Sequence, residues 1–294
     1  MSMVSGSGAC RMTLADLASR YGFELVPRFA QGVTVTSLAD DVDSVIPGSL
    51  YVPSGAVNME RLERAVARGA YAALVPRALR GAGERLSIPL LLGDYRDGQV
   101  AAMADALTGA PAQALAMFAC LGRDASSSER IARQLGEFLH MLGNPVGVLC
   151  ASDTQSLDRY VDMRFPLGVL DVRRTLSVCL EDGASAMVIA LDDDTVRHGA
   201  LCAADIDVLG IEADTDAERD VMDERARRMY GYVMDERGRV VGRTAESDAF
   251  ARQAADIEGG ESWQTLSLVI AMAMAAGVRR SNIRSALRVS RELS

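Results

Sequence analysis

The chain contains no lysine; all 31 of its basic residues are arginine. That excludes every chemistry that needs a lysine amine: a Schiff base, a carbamylated lysine, or the ammonium of an ATP-binding phosphate loop. Cysteine is sparse. Cys10, Cys120, Cys150, Cys179 and Cys202 are widely spaced and form no CxxC pair. An odd count in a chain of 294 residues argues against a secreted disulfide framework, so the thiols read as small buried hydrophobes. Long apolar runs are missing too. The late run at 266–278 falls short of the roughly 20 residues that span a bilayer. The first twelve residues are rich in Ser and Gly and lack the apolar stretch of a signal peptide. Together these absences predict a cytoplasmic protein without a membrane segment.

The charge balance is acidic, with 40 Asp and Glu, a net charge of −9 and a pI near 4.9. Such a surface repels phosphate backbones, so no nucleic-acid partner is expected. Apolar residues make up 49% and charged residues 24%, an ordinary globular composition. At roughly 100–200 residues per domain the length suggests two domains.

Hydrophobic periodicity supplies the order of elements. In the first part, 13–21 reads as a short helix capped by Thr13, and 32–36 alternates like a strand. A turn at Pro47-Gly48 precedes a strand at 49–52. An amphipathic helix at 60–68 stops at Gly69, and buried strands follow at 72–75 and 88–92. A helix at 99–107 ends at Gly109. From there the pattern is strand 115–121, helix 126–142 and strand 146–150, a βαβ unit entered through a short polar turn. A helix at 173–181, strands at 186–191 and 206–211 and a charged helix at 216–230 come next. Residues 232–234 and 240–241 flank Glu236-Arg237-Gly238 and predict a hairpin; helices at 262–276 and 281–289 close the chain. This is an α/β protein.

Several of these segments carry a resemblance. Asp41 precedes Pro47-Gly48, then Leu50-Tyr51-Val52, Gly55, a helix ending Arg68-Gly69-Ala70, and the strand Ala72-Ala73-Leu74-Val75. Further on, a strand, a phosphate-loop position and a helix lead to Val146-Gly147-Val148, and Glu181-Asp182-Gly183-Ala184 leads into Met187-Val188-Ile189. The chain resembles the Mur ligases, and most of all their UDP-N-acetylmuramoyl-tripeptide synthetase type. The resemblance implies a small N-terminal α/β domain of UDP-sugar type over 1–112. It implies a Rossmann-like, P-loop-type central domain with a mostly parallel sheet over 113–294, and it places the chain's end near where the family's C-terminal ligase domain would begin.

The functional positions of the family are altered. Its phosphate loop, Thr-Gly-Thr-Asn-Gly-Lys-Thr, matches a stretch containing Gly122, Arg123, Asp124, Ala125, Ser126, Ser127 and Ser128. No register supplies a lysine, and Asp124 adds negative charge where phosphate would sit. Two readings stay open here: Gly122, Arg123, Ser126, Ser127 and Ser128 as an anion site, or the serines as a helix cap with Ser126 near the cap position. The family's metal-binding glutamate falls at Ala190. Asp192 and Asp193, in a run of three aspartates, are either hard-cation ligands or a solvated turn. Ser37, Asp41 and Ser44 stand near the UDP-sugar segment, but an aspartate takes the place of the family's arginine. His198 lies in a polar turn and His140 late in a helix.

The sequence therefore predicts a Mur-ligase-like protein tied to peptidoglycan precursor synthesis that has lost catalysis, a pseudoenzyme with a degenerate phosphate loop. No cofactor is expected and Mg-ATP is doubted. A protein partner or a second copy is expected, with a UDP-sugar as a further ligand. Two alternatives remain: an ATP-dependent UDP-N-acetylmuramoyl-peptide ligase or half-enzyme with an unconventional nucleotide and metal site, and a UDP-sugar-binding sensor.

Overall fold

The computed structural model describes residues 11–255 and 262–293. The chain divides into two compact units, Met1–Ala110 and Pro111–Ser294. Cys10 lies outside the described residues.

The first unit opens with β1 (Met12–Thr13) and α1 (Leu14–Tyr21). Thr13 caps the helix as expected: its Oγ1 accepts from Asp16 N–H at 3.1 Å, and Asp16 in turn accepts from Thr13 N–H. The chain continues through β2 (Glu24–Val26), β3 (Thr34–Val35), β4 (Ser37–Ala39), β5 (Ser49–Tyr51), α2 (Met59–Ala67), β6 (Ala72–Val75), β7 (Leu90–Leu92) and α3 (Asp97–Thr108). Strands β4 to β7 run parallel in the order β7-β6-β5-β4, and β2 joins antiparallel to β7. Their apolar runs are buried on both faces, as in a sheet covered on both sides; Leu62 and Ala65 of α2 pack on one face with Tyr51, Val75 and Leu90. The strands β2 and β4, three residues each, are too short to show an alternating pattern in the sequence.

The second unit holds β8 (Ala116–Leu121), α4 (Ala125–Met141), β9 (Val146–Leu149), β10 (Gln155–Ser156), β11 (Arg159–Tyr160), α5 (Val169–Glu181) and β12 (Ala186–Ala190). It continues with β13 (Val208–Ile211), α6 (Asp216–Tyr230), β14 (Arg239–Val241), α7 (Ala245–Ala255), α8 (Ser262–Ala275) and α9 (Arg280–Leu293). The sheet order is β11-β10-β9-β12-β8-β13-β14. The five strands from β9 to β14 are parallel, and β10 with β11 forms an antiparallel hairpin at one edge. One face packs against α4, α7, α8 and α9 through Ile131, Leu135, Phe250, Val269 and Ile283, and the other against α5 and α6 through Val172, Leu176, Ala226 and Tyr230. Burial on both faces explains why β12 is apolar at every position.

One expectation about this unit fails, and one helix lies beyond what the sequence predicts. The hairpin predicted around Glu236-Arg237-Gly238 does not form. Val233 bridges Asp205 in parallel and β14 pairs parallel to β13, because Asp235 Oδ1 takes the Arg237 and Gly238 N–H groups and turns the chain onward rather than back. Helix α7, unpredicted, is capped by Thr244, whose Oγ1 accepts from Ser247 N–H at 3.0 Å. Helix α8 crosses β13 so closely that a Cβ on Gly210 would sit 2.2 Å from the Met272 sulfur.

Candidate functional site

The carboxyl end of β8 lies in mid-sheet, between β12 and β13, where ligands of open α/β sheets bind. The turn from Gly122 to Ser128 leads from that strand end into α4. The cap is Asp124 and not Ser126. Asp124 Oδ1 accepts from Ser127 N–H at 2.7 Å, while Ser127 Oγ accepts from Asp124 N–H at 3.1 Å. This reciprocal box needs a short acceptor three residues before a second one, and Asp124 with Ser127 meets that spacing where Ser126 does not. The Ser126 hydroxyl is exposed and makes no hydrogen bond among the described residues.

The rest of the turn is also satisfied from within. Gly122 N–H donates to Ser128 Oγ at 2.8 Å, and that hydroxyl donates to the Leu191 carbonyl at 3.2 Å. Arg123 N–H reaches Glu212 Oε2 at 3.4 Å, and its guanidinium pairs with Asp214 at 2.6 Å on the surface. Gly122 has no space above it: a Cβ there would stand 2.5 Å from Ser128 N and 2.1 Å from Ser127 Oγ. Glycine is needed because the first turn of α4 is folded onto the strand end, not because a ligand approaches. The hydrogen bonds from Ser127 hold the exposed Asp124 carboxyl below its ordinary range.

The neighbouring turn follows β12. Asp192 is buried, with 6% exposure, and its carboxylate accepts from Asp194 N–H at 3.0 Å, Thr195 N–H at 2.7 Å and Thr195 Oγ1 at 3.1 Å. Burial pushes its pKa up to about 6, against the pull of those donors. Thr195 Oγ1 accepts from Ala151 N–H at 3.1 Å, which ties this turn to the end of β9. Asp193 is exposed; its Oδ1 accepts from Tyr230 OH at 3.1 Å and lies 3.4 Å from His198 Nε2. Burial and the Asp193 charge raise the Tyr230 pKa. His198 thus has a carboxylate partner that its surrounding sequence did not indicate, while His140 stands in the last turn of α4.

The two turns and α6 enclose a pocket of about 300 Å³. Gly122, Arg123, Ser128, Asp192 and Asp193 line it together, with Met222, Met229 and Tyr230 on the opposite wall. Asp124, Tyr230 and His198 were not assigned these roles from sequence. Asp124 had a signal, the Asp-x-x-Ser spacing; Tyr230 and His198 had none, since residues 193, 198 and 230 meet only in space. Ser37, Asp41 and Ser44 belong to the first unit. The Ser37 hydroxyl bonds Ser49 Oγ at 2.9 Å, Ser44 Oγ donates to the Asp41 carbonyl at 2.8 Å, and the Asp41 side chain is exposed and caps nothing.

A magnesium triphosphate does not fit this donor set. The N–H groups of Gly122, Arg123, Asp124 and Ser127 already have acceptors, and the Asp124 carboxylate stands at the helix terminus where a phosphate would bind. Ala190, at the position of the family's glutamate, is fully buried and offers no ligand atom. Among the described residues no cluster of three His, Cys, Asp or Glu could hold a metal ion. Cys120, Cys150 and Cys179 are buried free thiols whose pKa values burial raises, which leaves them poor nucleophiles. No described helix is long and apolar enough to cross a membrane.

Comparison with known proteins bears on the fold. No family model matches the chain, and no curated protein matches it by sequence. Solved structures do match. One is the UDP-N-acetylmuramoylalanyl-D-glutamyl-2,6-diaminopimelate–D-alanyl-D-alanyl ligase of Acinetobacter baumannii, at 14% identity and a TM-score of 0.52, covering 96% of this chain and 69% of that one. Another is a crystal structure of MurF from the same organism, at 14% identity and a TM-score of 0.54, covering 95% and 68%. The chain has a Mur ligase-like fold. The expected resemblance and the α/β class with mostly parallel sheets therefore hold. Identity this low carries the Mur ligase-like frame and leaves its chemistry to be argued from the site.

Proposed function

We propose that this protein works in peptidoglycan precursor synthesis by binding, as a partner or regulator, and carries no ATP-dependent ligase activity. The observation that supports it is the self-satisfied turn after β8, in which Asp124 and Ser128 take N–H groups that would otherwise face a phosphate. Transition-state stabilisation in phosphoryl transfer is almost wholly positioning and positive charge around the transferred group. Here the protein's own Asp124 carboxylate stands at the helix terminus, and the one cation of the turn, Arg123, is directed to Asp214.

Calorimetric titration of Mg-ATP, run beside a phosphate-release assay with UDP-N-acetylmuramoyl peptides and amino acids, tests the reading. No heat of binding and no phosphate release are expected. Micromolar Mg-ATP binding together with amide-bond formation overturns it.

A further inference from the structure

The pocket of about 300 Å³ between the β8 and β12 turns has a second wall that phosphate-loop chemistry does not use. Met222, Ala226, Met229 and Tyr230 of α6 recur at i, i+4, i+7 and i+8 and turn one apolar face to it. Leu121 and Leu191, at the ends of β8 and β12, continue that surface. The volume stands at the lower end of the range for small-molecule sites, roughly 300–1,000 Å³.

Two observations point to the ligand. The first is Asp192, which lines the pocket and is buried. Its carboxylate takes only neutral donors, the N–H groups of Asp194 and Thr195 and the Thr195 hydroxyl, and it forms no ion pair among the described residues. Burial lifts its pKa to about 6, so above that pH a charge stands at the pocket wall with no counter-charge against it. A cation in the pocket supplies one. The second is the balance of the walls. Asp124, Asp192, Asp193 and Asp194 line the pocket with only two arginines, and of these Arg123 is held by Asp214 and Arg225 is exposed at the rim.

The same walls narrow the cation. Among the described residues no three His, Cys, Asp or Glu are grouped to hold a metal ion, and thioethers and a phenol ring do not replace the oxygen shell that a hard cation needs. They do cover methylene or aromatic carbon, and methionine adapts its shape to either. We infer that the pocket binds a small organic ammonium with an apolar body, its charge against Asp192 and Asp193 and its body along Met222 and Met229. The inference rests on the proposed loss of nucleotide chemistry, because a triphosphate and an ammonium cannot share these walls.

The test is heteronuclear NMR titration of the full chain with phenethylamine and butylamine, beside 2-phenylethanol, 3-phenylpropionate, magnesium chloride and Mg-ATP. At least one amine should saturate in the millimolar range or tighter, shifting amides of 192–195 and 222–230, at more than tenfold higher affinity than the alcohol, the carboxylate or magnesium. Asp192→Asn keeps an acceptor for the Thr195 N–H and removes the charge, and should weaken the amine tenfold or more. The exposed double variant Asp193→Asn/Asp194→Asn should weaken it about threefold with its folded spectrum unchanged. Absence of saturation by both amines, equal affinity for the alcohol or magnesium, or unchanged amine binding in either variant that folds overturns the inference. The Mg-ATP arm separates the two readings: silence from the amines and from Mg-ATP overturns this inference alone, while Mg-ATP binding at these amides overturns the reading it rests on.

Discussion

The turns after β8 and β12 are built alike and behave oppositely. In each, an aspartate just past a strand end accepts the backbone N–H of the residue three positions on, and the hydroxyl of that same residue bonds back to the aspartate. Yet the Asp124 carboxyl titrates below its ordinary range, while the Asp192 carboxyl is pushed up to about 6. The difference is solvent. Asp124 is open to water, so its donors act on a carboxylate that has lost no hydration. Asp192 is covered, and desolvation outweighs three donors. The same short-range pattern therefore makes a surface cap in one turn and a strained internal charge in the other.

The sharpest way to break that comparison is to delete each carboxylate. Asp192→Ala takes the acceptor from the buried Thr195 N–H and hydroxyl and from the Asp194 N–H, and should cost about 2–4 kcal/mol in urea unfolding. Asp124→Ala, where water replaces the lost acceptor, should move the urea midpoint distinctly less. Equal losses would mean that burial does not separate the two turns. Ser128→Ala comes next. It removes the acceptor of a buried Gly122 N–H and should cost about 1–2 kcal/mol, with a coupling to Asp192→Ala in a double-mutant cycle, since Ser128 also bonds Leu191 beside Asp192.

The smallest effect is the pH dependence. A folded pKa above the unfolded value means the native state binds the proton more tightly, so this contribution is fully present below the ordinary carboxylate range and fades as pH rises through about 6. The stability of the parent relative to Asp192→Asn should therefore rise between about pH 7 and about pH 5.5. The contribution of Asp124 has the opposite sign and disappears only on acidification below its ordinary range.

The frame of the second unit was legible because β8, β9, β12 and β13 are apolar runs buried on both faces, and α4 and α6 are long enough to show their period. The edges were not. Strands β10 and β11 are two residues each, and the return expected after Gly238 was decided by the Asp235 carboxylate, a hydrogen-bond choice that periodicity does not encode. At the site, the altered phosphate-loop residues were visible, and the structure brings Gly122, Ser128, Asp192 and Asp193 to one pocket. What those residues do there was less visible. The sequence shows Asp124 as a negative charge but not that it caps α4, and the contact of Tyr230 with Asp193 joins residues 37 positions apart.

Ser128 gives one further consequence. A single hydroxyl proton and a single lone pair join the Gly122 amide to the Leu191 carbonyl, so neither turn can swing open without releasing the other. The amide of Gly122 is thereby a built-in gauge. Its hydrogen-exchange rate should report local unfolding of the segment at 191–196, and a ligand that pries up either edge should quicken it before any change reaches the rest of the sheet.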